Sequence, residues 1–147
     1  MAAKKIIGWG HNNAKHTPTN GTAVTHEDII DGSTSLSVEE GEEQEALIEG
    51  GEAEARRKRP DKYILDYERR IGSANEVTPG FIEDAGSIEV IPEAVGAIGV
   101  TLTGVSLYIS LAFDSTDGLK VHYQYKTKGA TDANGNLTDV TMQAKAE

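Results

Sequence analysis

The sequence predicts a mainly β protein, a sandwich or barrel with an extended hairpin and terminal arms and at most one short helix. Short segments in which apolar and polar residues alternate recur along the chain, and clusters of Gly, Asn, Asp and Pro separate them. Alternation with a period of two buries one face of each segment, and turn residues at close intervals are typical of sandwiches and barrels. We expect about seven to nine short strands on this basis.

The longest charged segment, residues 39–70, predicts a hairpin that turns at Gly50-Gly51, because adjacent glycines tolerate the positive φ of a two-residue turn. This turn defines the facing pairs Glu49 with Glu52, Ile48 with Ala53, Ala46 with Ala55, Glu45 with Arg56, Glu43 with Lys58 and Glu42 with Arg59. Opposite charges across strands contribute about 0.2–1 kcal/mol per pair, so charge favours this register more than burial does.

A helix is the alternative for residues 39–49, since Glu, Gln, Ala and Leu are good helix formers and the two glycines would end it. The hairpin is favoured over the helix. A two-stranded ribbon with few apolar residues is marginal in water by itself, so we expect it to lie on another surface.

At 147 residues the chain is long enough for one domain, but its core is predicted to be thin. Apolar residues make up 37% of the chain and aromatic residues 5%, which favours additional burial against neighbouring subunits. The absence of cysteine excludes disulfides, thiolate metal sites and cysteine nucleophiles.

The net charge of −10 arises from 24 acidic residues against 14 Lys and Arg, and such a field repels nucleic acid. No apolar run has the length of a signal sequence or approaches the roughly 20 residues of a membrane span. We therefore expect a protein that is made in a cytoplasm and is kept there or released from it.

Residues 1–20 are predicted to form an N-terminal arm and loop. Residues 4–9 indicate a short strand or arm that ends in Trp9, the single tryptophan. A tryptophan near a terminus is a hydrophobic anchor, either in the chain's own core or in a neighbour. Residues 11–20 are turn formers around Pro18 and are assigned to a loop.

Alternation predicts the remaining strands. The clearest is residues 62–69, in which Tyr63, Leu65 and Tyr67 share one face. Residues 106–113 and 119–126 are expected to pair across a turn at residues 114–118. Further strands are expected at residues 22–25, 33–38, 87–91, 100–105 and 137–142. Residues 26–32 are assigned to one helical turn or an irregular link, and residues 71–85 largely to loop.

The sequence shows no catalytic, cofactor-binding or metal-binding motif. The four histidines lack metal-ligand spacing, and no nucleophile elbow or phosphate loop occurs. Residues 132–139 lack the spacing of a calcium loop, so a plain Asn-Gly turn is favoured. The basic cluster at residues 56–59 could contact phosphate, but the preceding acids are closer partners. We therefore predict no cofactor and no enzymatic activity.

Three segments together resemble the tail-tube (major tail) proteins of tailed bacteriophages, especially those of Bacteroidetes phages and prophages. They are the acid-rich run with Glu-Gly-Gly-Glu at residues 49–52, the Tyr-x-Leu-x-Tyr strand at residues 63–67, and the FDSTDGL turn at residues 113–119. The resemblance covers roughly residues 36–132. It implies a small β-sandwich or barrel with a flanking helix, although this chain has no clear amphipathic helix.

The resemblance further implies that six copies close into a ring and that rings stack into a tube. An inner β-barrel would line the channel, and a hairpin and terminal arms would contact the adjacent ring. The physical interpretation agrees, because a head-to-tail interface repeated by rotation closes a ring. An acidic channel wall would let DNA pass, whereas a basic wall would hold its phosphates.

We therefore expect a structural subunit of a phage tail tube, assembled in the host bacterial cytoplasm and located in the virion. Its partners would be further copies of itself and other tail proteins, with no membrane contact and no sequence-specific binding of the DNA that passes through. The residues expected at inter-subunit contacts are Trp9, Glu42, Glu43, Glu45, Glu49, Gly50, Gly51, Glu52, Arg56, Arg57, Lys58 and Arg59.

The alternative is a monomeric β-sandwich module for adhesion or carbohydrate binding on a virion or cell surface. Exposed aromatic platforms would favour it, but the five tyrosines are all assigned to strands with core-like alternation: Tyr63, Tyr67, Tyr108, Tyr123 and Tyr125. A hydrolytic enzyme is a third possibility, which the lack of a nucleophile and base disfavours.

Overall fold

A computed structural model of the chain describes residues 12–51, 53–72 and 77–145. These residues form twelve β-strands and no helix. In chain order the strands are β1 (Asn12–Thr17), β2 (Val24–His26), β3 (Ser35–Glu39), β4 (Glu43–Leu47), β5 (Ala53–Lys58), β6 (Lys62–Arg70), β7 (Gly80–Ile82), β8 (Ser87–Pro92), β9 (Ile98–Thr103), β10 (Ser106–Asp114), β11 (Gly118–Lys126) and β12 (Val140–Ala144).

Ten of the strands form two five-stranded antiparallel sheets. Sheet I has the order β12-β9-β8-β1-β2, and sheet II has the order β3-β6-β11-β10-β7. The remaining two strands, β4 and β5, form a separate two-stranded sheet, which we call the hairpin. The mainly β fold class predicted from the sequence is confirmed, with two antiparallel sheets consistent with a sandwich.

The core lies between the inner faces of sheets I and II. Leu65 and Tyr67 on β6 and Tyr125 on β11 are buried, as the alternation predicted, and Ile88 and Leu102 cover them from sheet I. Alternate residues of the same strands point away from the core, because successive side chains of a strand lie on opposite faces. One face of sheet II is therefore left open as an outer face, and no helix covers it among the described residues.

The assignment of residues 11–20 to a loop was wrong for residues 12–17. These turn formers build β1, which pairs with β8 over six residues and with β2 on its other side. Ala14 is buried in the core, and His16 Nε2 lies 2.6 Å from the carbonyl oxygen of Ala85. Pairing on both edges outweighs weak local strand propensity, which depends on context more than helix propensity does. Residues 1–11, with the predicted arm and Trp9, lie outside the described residues.

Three other assignments need smaller corrections. Residues 71–85 contain the edge strand β7, the strand predicted from residue 100 begins at Ile98, and the last strand begins at Val140 instead of Leu137. Residue 26 belongs to β2, and residues 27–32 form an irregular link without a helical turn, in which Ile29 makes a single bridge to Arg69. Twelve strands form where seven to nine were expected; β1 consists of turn formers, and the three-residue β7 is too short to give a periodic signal.

The separation of core and hairpin predicts different costs for two leucine truncations. Leu65→Ala, at a position only 1% exposed, should lower the free energy of unfolding by about 2–5 kcal/mol, since it leaves a cavity. Leu47→Ala, at a hairpin position 60% exposed, should change it by less than about 0.5 kcal/mol. Urea unfolding of both variants measures this, and equal destabilisation would mean that the hairpin packs on the sandwich.

Candidate subunit interface

The hairpin stands apart from both sheets. Its two strands make their main contacts with each other, and every residue of β4 is exposed. Leu47 and Ile48 near the tip present apolar surface on a ribbon that is otherwise rich in charge. The strand prediction for residues 39–59 is therefore correct at residues 43–47 and 53–58, and the helix alternative is excluded there.

The predicted register holds in the body of the hairpin. The facing pairs that agree with it are Glu43 with Lys58, Glu45 with Arg56 and Ala46 with Ala55. The Arg59 amide also donates a hydrogen bond to the Glu42 carbonyl at 2.8 Å, as their predicted pairing requires. The facing charged pairs in the hairpin body are therefore those that a turn at Gly50-Gly51 predicts.

The predicted register fails next to the turn. Leu47, not Ile48, faces Ala53, because a bulge interrupts the ladder between Ala46 and Leu47. The Gly51 amide donates to the Ile48 carbonyl at 3.2 Å, and Gly50 has a φ of +97°. The tight turn therefore begins at Ile48 and uses Gly50 as its third residue, where a type II turn requires positive φ. The predicted Glu49–Glu52 pair involves a residue outside the described ones.

Most of the predicted contact residues lie on the exposed hairpin and its base. Those with described side chains are Glu42, Glu43, Glu45, Glu49, Gly50, Gly51, Lys58 and Arg59, and all are exposed. Arg56 and Arg57 lie in β5, but their side chains are outside the described part of the chain, as are Trp9 and Glu52. Lys58 ion-pairs with Glu40 at 3.4 Å and with Asp61 at 4.0 Å, at the base of the hairpin.

Sheet II has two incompletely paired edges that the sequence did not reveal. At one edge, β3 pairs with β6 alone among the strands that the structure describes. At the other, β7 covers only residues 107–109 of β10, so that residues 110–114 have no strand neighbour on that side among the described residues. Leu111 and Phe113 are exposed on the free part of β10, Phe113 by 76%, and Val38 is exposed on β3. A free apolar edge is a template for another strand.

The outer face of sheet II carries ionic side chains in pairs. Lys126 Nζ lies 2.6 Å from a Glu39 oxygen, and the Arg70 guanidinium lies 2.6 Å from Asp117. Lys120 contacts three carboxylates, of which Asp114 is nearest at 3.3 Å. Its hydrogen bond to Asp114 raises the pKa of Lys120. Each of these three cations is thus matched by at least one carboxylate.

The same outer face carries an exposed aromatic pair. Phe81 on β7 faces Tyr108 on β10, and the two are 63% and 48% exposed. The assignment of Tyr108 to the core was therefore wrong, because the odd-numbered residues of β10 point inward and Tyr108 points outward. The other four tyrosines are buried or partly buried.

A buried polar cluster joins sheet I to sheet II. The rings of Tyr67, Tyr123 and Tyr125 stack with centroids 5.0–6.5 Å apart, and the His26 ring lies 5.1 Å from that of Tyr123. His26 Nδ1 and the Tyr67 hydroxyl share a hydrogen bond of 2.7 Å, and the Tyr67 and Tyr125 hydroxyls share one of 3.1 Å. Buried hydroxyls are thereby satisfied, which makes them compatible with a core.

Arg69 closes this cluster at the surface. It donates to the Tyr123 hydroxyl at 3.0 Å and binds the Asp28 carboxylate through two nitrogens, at 2.7 and 3.0 Å. Burial, together with the nearby Arg69 charge, lowers the pKa of His26 to about 4. Burial raises the pKa of both Tyr67 and Tyr125, so both remain neutral hydroxyls at ordinary pH. The cluster is therefore an uncharged stack under a surface ion pair.

No group of three or more His, Asp or Glu residues that could hold a metal occurs within residues 12–51, 53–72 and 77–145. Over the same ranges there is no helix long and apolar enough to cross a membrane. A scan against family models and a search of curated proteins both gave no match to this chain. The candidate site therefore rests on geometry: a projecting charged hairpin, two free sheet edges and an ion-paired open face.

The lowered pKa of His26 predicts a loss of stability in mild acid. The unfolded chain binds a proton at His26 near pH 6.5, whereas the folded chain resists it down to about pH 4. The free energy of unfolding should therefore be highest above pH 6.5 and fall as the pH drops from 6.5 towards 4.

Urea unfolding between pH 8 and pH 4.5 measures this loss, with His26→Gln as the matched variant. The variant should have a lower free energy of unfolding at pH 8, because it loses the packing of the His26 ring. Its free energy of unfolding should, however, depend less on pH over this interval. Equal pH dependence in the two proteins would contradict the assignment to His26.

Proposed function

We propose that this chain is a structural subunit of a tube of the phage tail-tube type, in which copies close into a ring and rings stack around a channel for DNA. The observation that carries the proposal is the hairpin, which projects from the sandwich with its charged and apolar residues exposed. A single copy gains little from such a ribbon, since an isolated hairpin is marginally stable in water. Neighbouring copies would provide a surface against which the hairpin packs.

The strand order of sheet II supports ring closure. Three antiparallel pairings lead from β3 through β6 and β11 to β10, so that β3 and β10 run in opposite directions. A rotation that closes a ring preserves strand direction along its axis. Hence β3 of one copy would meet β10 of the next as an antiparallel neighbour, and the sheet would continue from copy to copy without an unpaired edge.

The lengths and side chains of the two edges agree with this pairing. β3 contains five residues, and the free part of β10, residues 110–114, also contains five. Antiparallel alignment places Leu36 opposite Phe113 and Val38 opposite Leu111, all on the inner face. Cross-strand pairs of apolar residues contribute about 0.2–1 kcal/mol each, and burial of Phe113 would add to this.

The hairpin would mediate contact between rings. It leaves sheet II next to Lys126, at the end of the sheet opposite the turn between β10 and β11. Subunits in one ring therefore present their hairpins on the same side. Glutamates on β4 and the basic cluster at residues 56–59 would set the register with the next ring, since charge complementarity determines specificity more than affinity.

The outer face of sheet II would line the channel. Lys120, Lys126 and Arg70 on this face are already paired with carboxylates, so that fewer cations remain to bind phosphate. A wall of this kind would let DNA pass without release of its counterions, and the net charge of −10 acts in the same direction. Six copies per ring is the number that the resemblance implies.

Negative-stain electron microscopy of the purified chain tests the proposal, with rings or tubes as the expected result. Phe113→Lys should abolish rings, because it places a charge in the β3–β10 contact, while circular dichroism stays β-like. Ile98→Lys, at an exposed position of β9 outside that contact, is the matched control and should assemble. Monomers at every concentration and salt condition would contradict the proposal.

Charge reversal of residues 56–59 to glutamate tests the hairpin separately. Stacking should fail while single rings persist, since the ring contact uses β3 and β10 instead of β5. Sedimentation velocity distinguishes rings from tubes. Tubes of unchanged length would show that these charges do not contribute to stacking.

One observation favours the second candidate, a monomeric adhesion or carbohydrate-binding module. The exposed Phe81–Tyr108 pair offers a flat aromatic surface of the kind on which sugar rings stack. A glycan array probed with the parent chain and with Tyr108→Ala separates the candidates. Binding that Tyr108→Ala abolishes, from a protein that stays monomeric, would favour the module over the tube.

A further inference from the structure

The hairpin and the pairing of β3 with β6 form one ribbon in a single register. Glu39 faces Lys62 at the end of β3, and Glu43 faces Lys58 at the start of β4. Three residues separate these pairs on each strand, so that no residue is inserted or lost between them. None of the strands extends into residues 40–42 and 59–61, which we call the junction, although the Arg59 amide still donates to the Glu42 carbonyl there.

Gly41 and Pro60 lie opposite each other at the centre of the junction, and each is suited to the interruption. Pro60 has no amide proton to donate to the ladder. At Gly41 the strands approach so closely that an added Cβ would lie 1.8 Å from the Arg59 carbonyl oxygen and 2.8 Å from that of Pro60. A residue with a side chain therefore does not fit without movement of the backbone.

Asp61 satisfies the backbone group that the interruption leaves. Its Oδ1 accepts a hydrogen bond from the Gly41 amide at 3.0 Å. The same carboxylate lies 4.0 Å from Lys58 Nζ, which in turn contacts Glu40. This hydrogen bond and these ion pairs thus connect the two sides of the junction, which lies outside the strands.

A buried carboxylate anchors the junction to the sandwich. Pro60 packs against Gly129, where an added Cβ would lie 3.2 Å from Pro60 Cβ. The amides of Gly129 and Ala130 donate to Asp139 Oδ2 at 3.0 and 2.9 Å, and Asp139 is buried. The junction is therefore held between sheet II and this anchored segment.

We infer that Gly41, Pro60 and Asp61 form a positioning device that fixes the direction in which the hairpin leaves sheet II. Its role in assembly rests on the proposed function: the device would aim every hairpin of a ring at the next ring. Charge complementarity can select a partner only if the charged ribbon reaches it in the right orientation. Gly41 and Asp61 are then specificity-determining residues for stacking, although neither needs to touch the next ring.

The size of the effect at Gly41 can be estimated. A Cβ at 1.8 Å must reach at least 3.4 Å from the Arg59 oxygen for ordinary contact, a displacement of about 1.6 Å. Across a strand spacing of about 4.8 Å, and along the seven residues to Ile48 at about 3.3 Å each, this corresponds to a tip movement on the order of 8 Å.

Distance measurement by electron paramagnetic resonance tests the device in the monomer. The chain has no cysteine, so spin labels can be placed at Ile48→Cys on the tip and Lys15→Cys on β1 alone. The parent should give one narrow distance distribution. Gly41→Ala should displace or broaden it by roughly 8 Å. Asp61→Ala, which removes the acceptor for the Gly41 amide, should broaden it.

Gln44→Ala, at an exposed position of β4 outside the junction, is the matched control and should give the parent distribution. If Gly41→Ala fails to fold, Asp61→Ala decides the question. Distributions of the junction variants that coincide with the parent would overturn the inference.

Electron microscopy of the same variants separates this inference from the proposed function. Junction variants should form single rings that do not stack, whereas the parent forms tubes. If the parent and the junction variants all form tubes, the proposed function stands and the role of the junction in stacking is overturned. A parent that never assembles, with junction variants that lose the narrow distance, would overturn the tube and leave the positioning device established.

Discussion

Backbone pairing along one ribbon is the constraint on which the rest of the structure depends. β3 and β4 run against β6 and β5 in a single register, and only the junction at Gly41 and Pro60 divides the ribbon into a part that belongs to sheet II and a part that projects. The division gives one chain two kinds of surface. The sheet part supplies a free edge at β3, and the projecting part supplies the hairpin.

The thin core follows from the same division. Residues in the hairpin and in the edge strands are not buried within one copy. Phe113, Val38 and Leu47 are therefore apolar side chains exposed outside the core. The buried centre depends instead on a few large side chains, three of them stacked tyrosines, of which Tyr67 hydrogen-bonds with His26 and Tyr123 with Arg69. The hydroxyls of this tyrosine cluster are thus paired, and the cost of burying them is offset.

The sequence alone predicted the fold class, the hairpin body and the inward faces of β6 and β11, because each follows from local alternation or charge pairing. It did not predict β1, whose turn-forming residues are extended only because β8 and β2 pair with both of its edges. The bulge beside Leu47 could not be predicted either, since a single extra residue leaves no periodic trace. The pairing of β1 with β8 depends on contacts distant in sequence.

The candidate interface was predictable in part. The exposed charged residues of the hairpin were predicted from the charge pattern, whereas the β3 and β10 edges depend on strand order, which alternation does not encode. Two signals were present in the sequence: Leu111-Ala112-Phe113 is apolar on both faces of a strand, and Gly41 interrupts a run of acids. Neither has a meaning until the neighbouring strand is known.

Disulfide trapping tests the central claim, that sheet II continues from one copy to the next, most directly. In the antiparallel alignment Ser37 of one copy lies opposite Ala112 of its neighbour, and the natural chain has no cysteine that could interfere. Oxidation of Ser37→Cys/Ala112→Cys should give a ladder of covalent oligomers that ends in a closed ring, whereas Lys15→Cys/Ala112→Cys should not. Monomers alone from Ser37→Cys/Ala112→Cys, at concentrations where the parent assembles, would contradict the account.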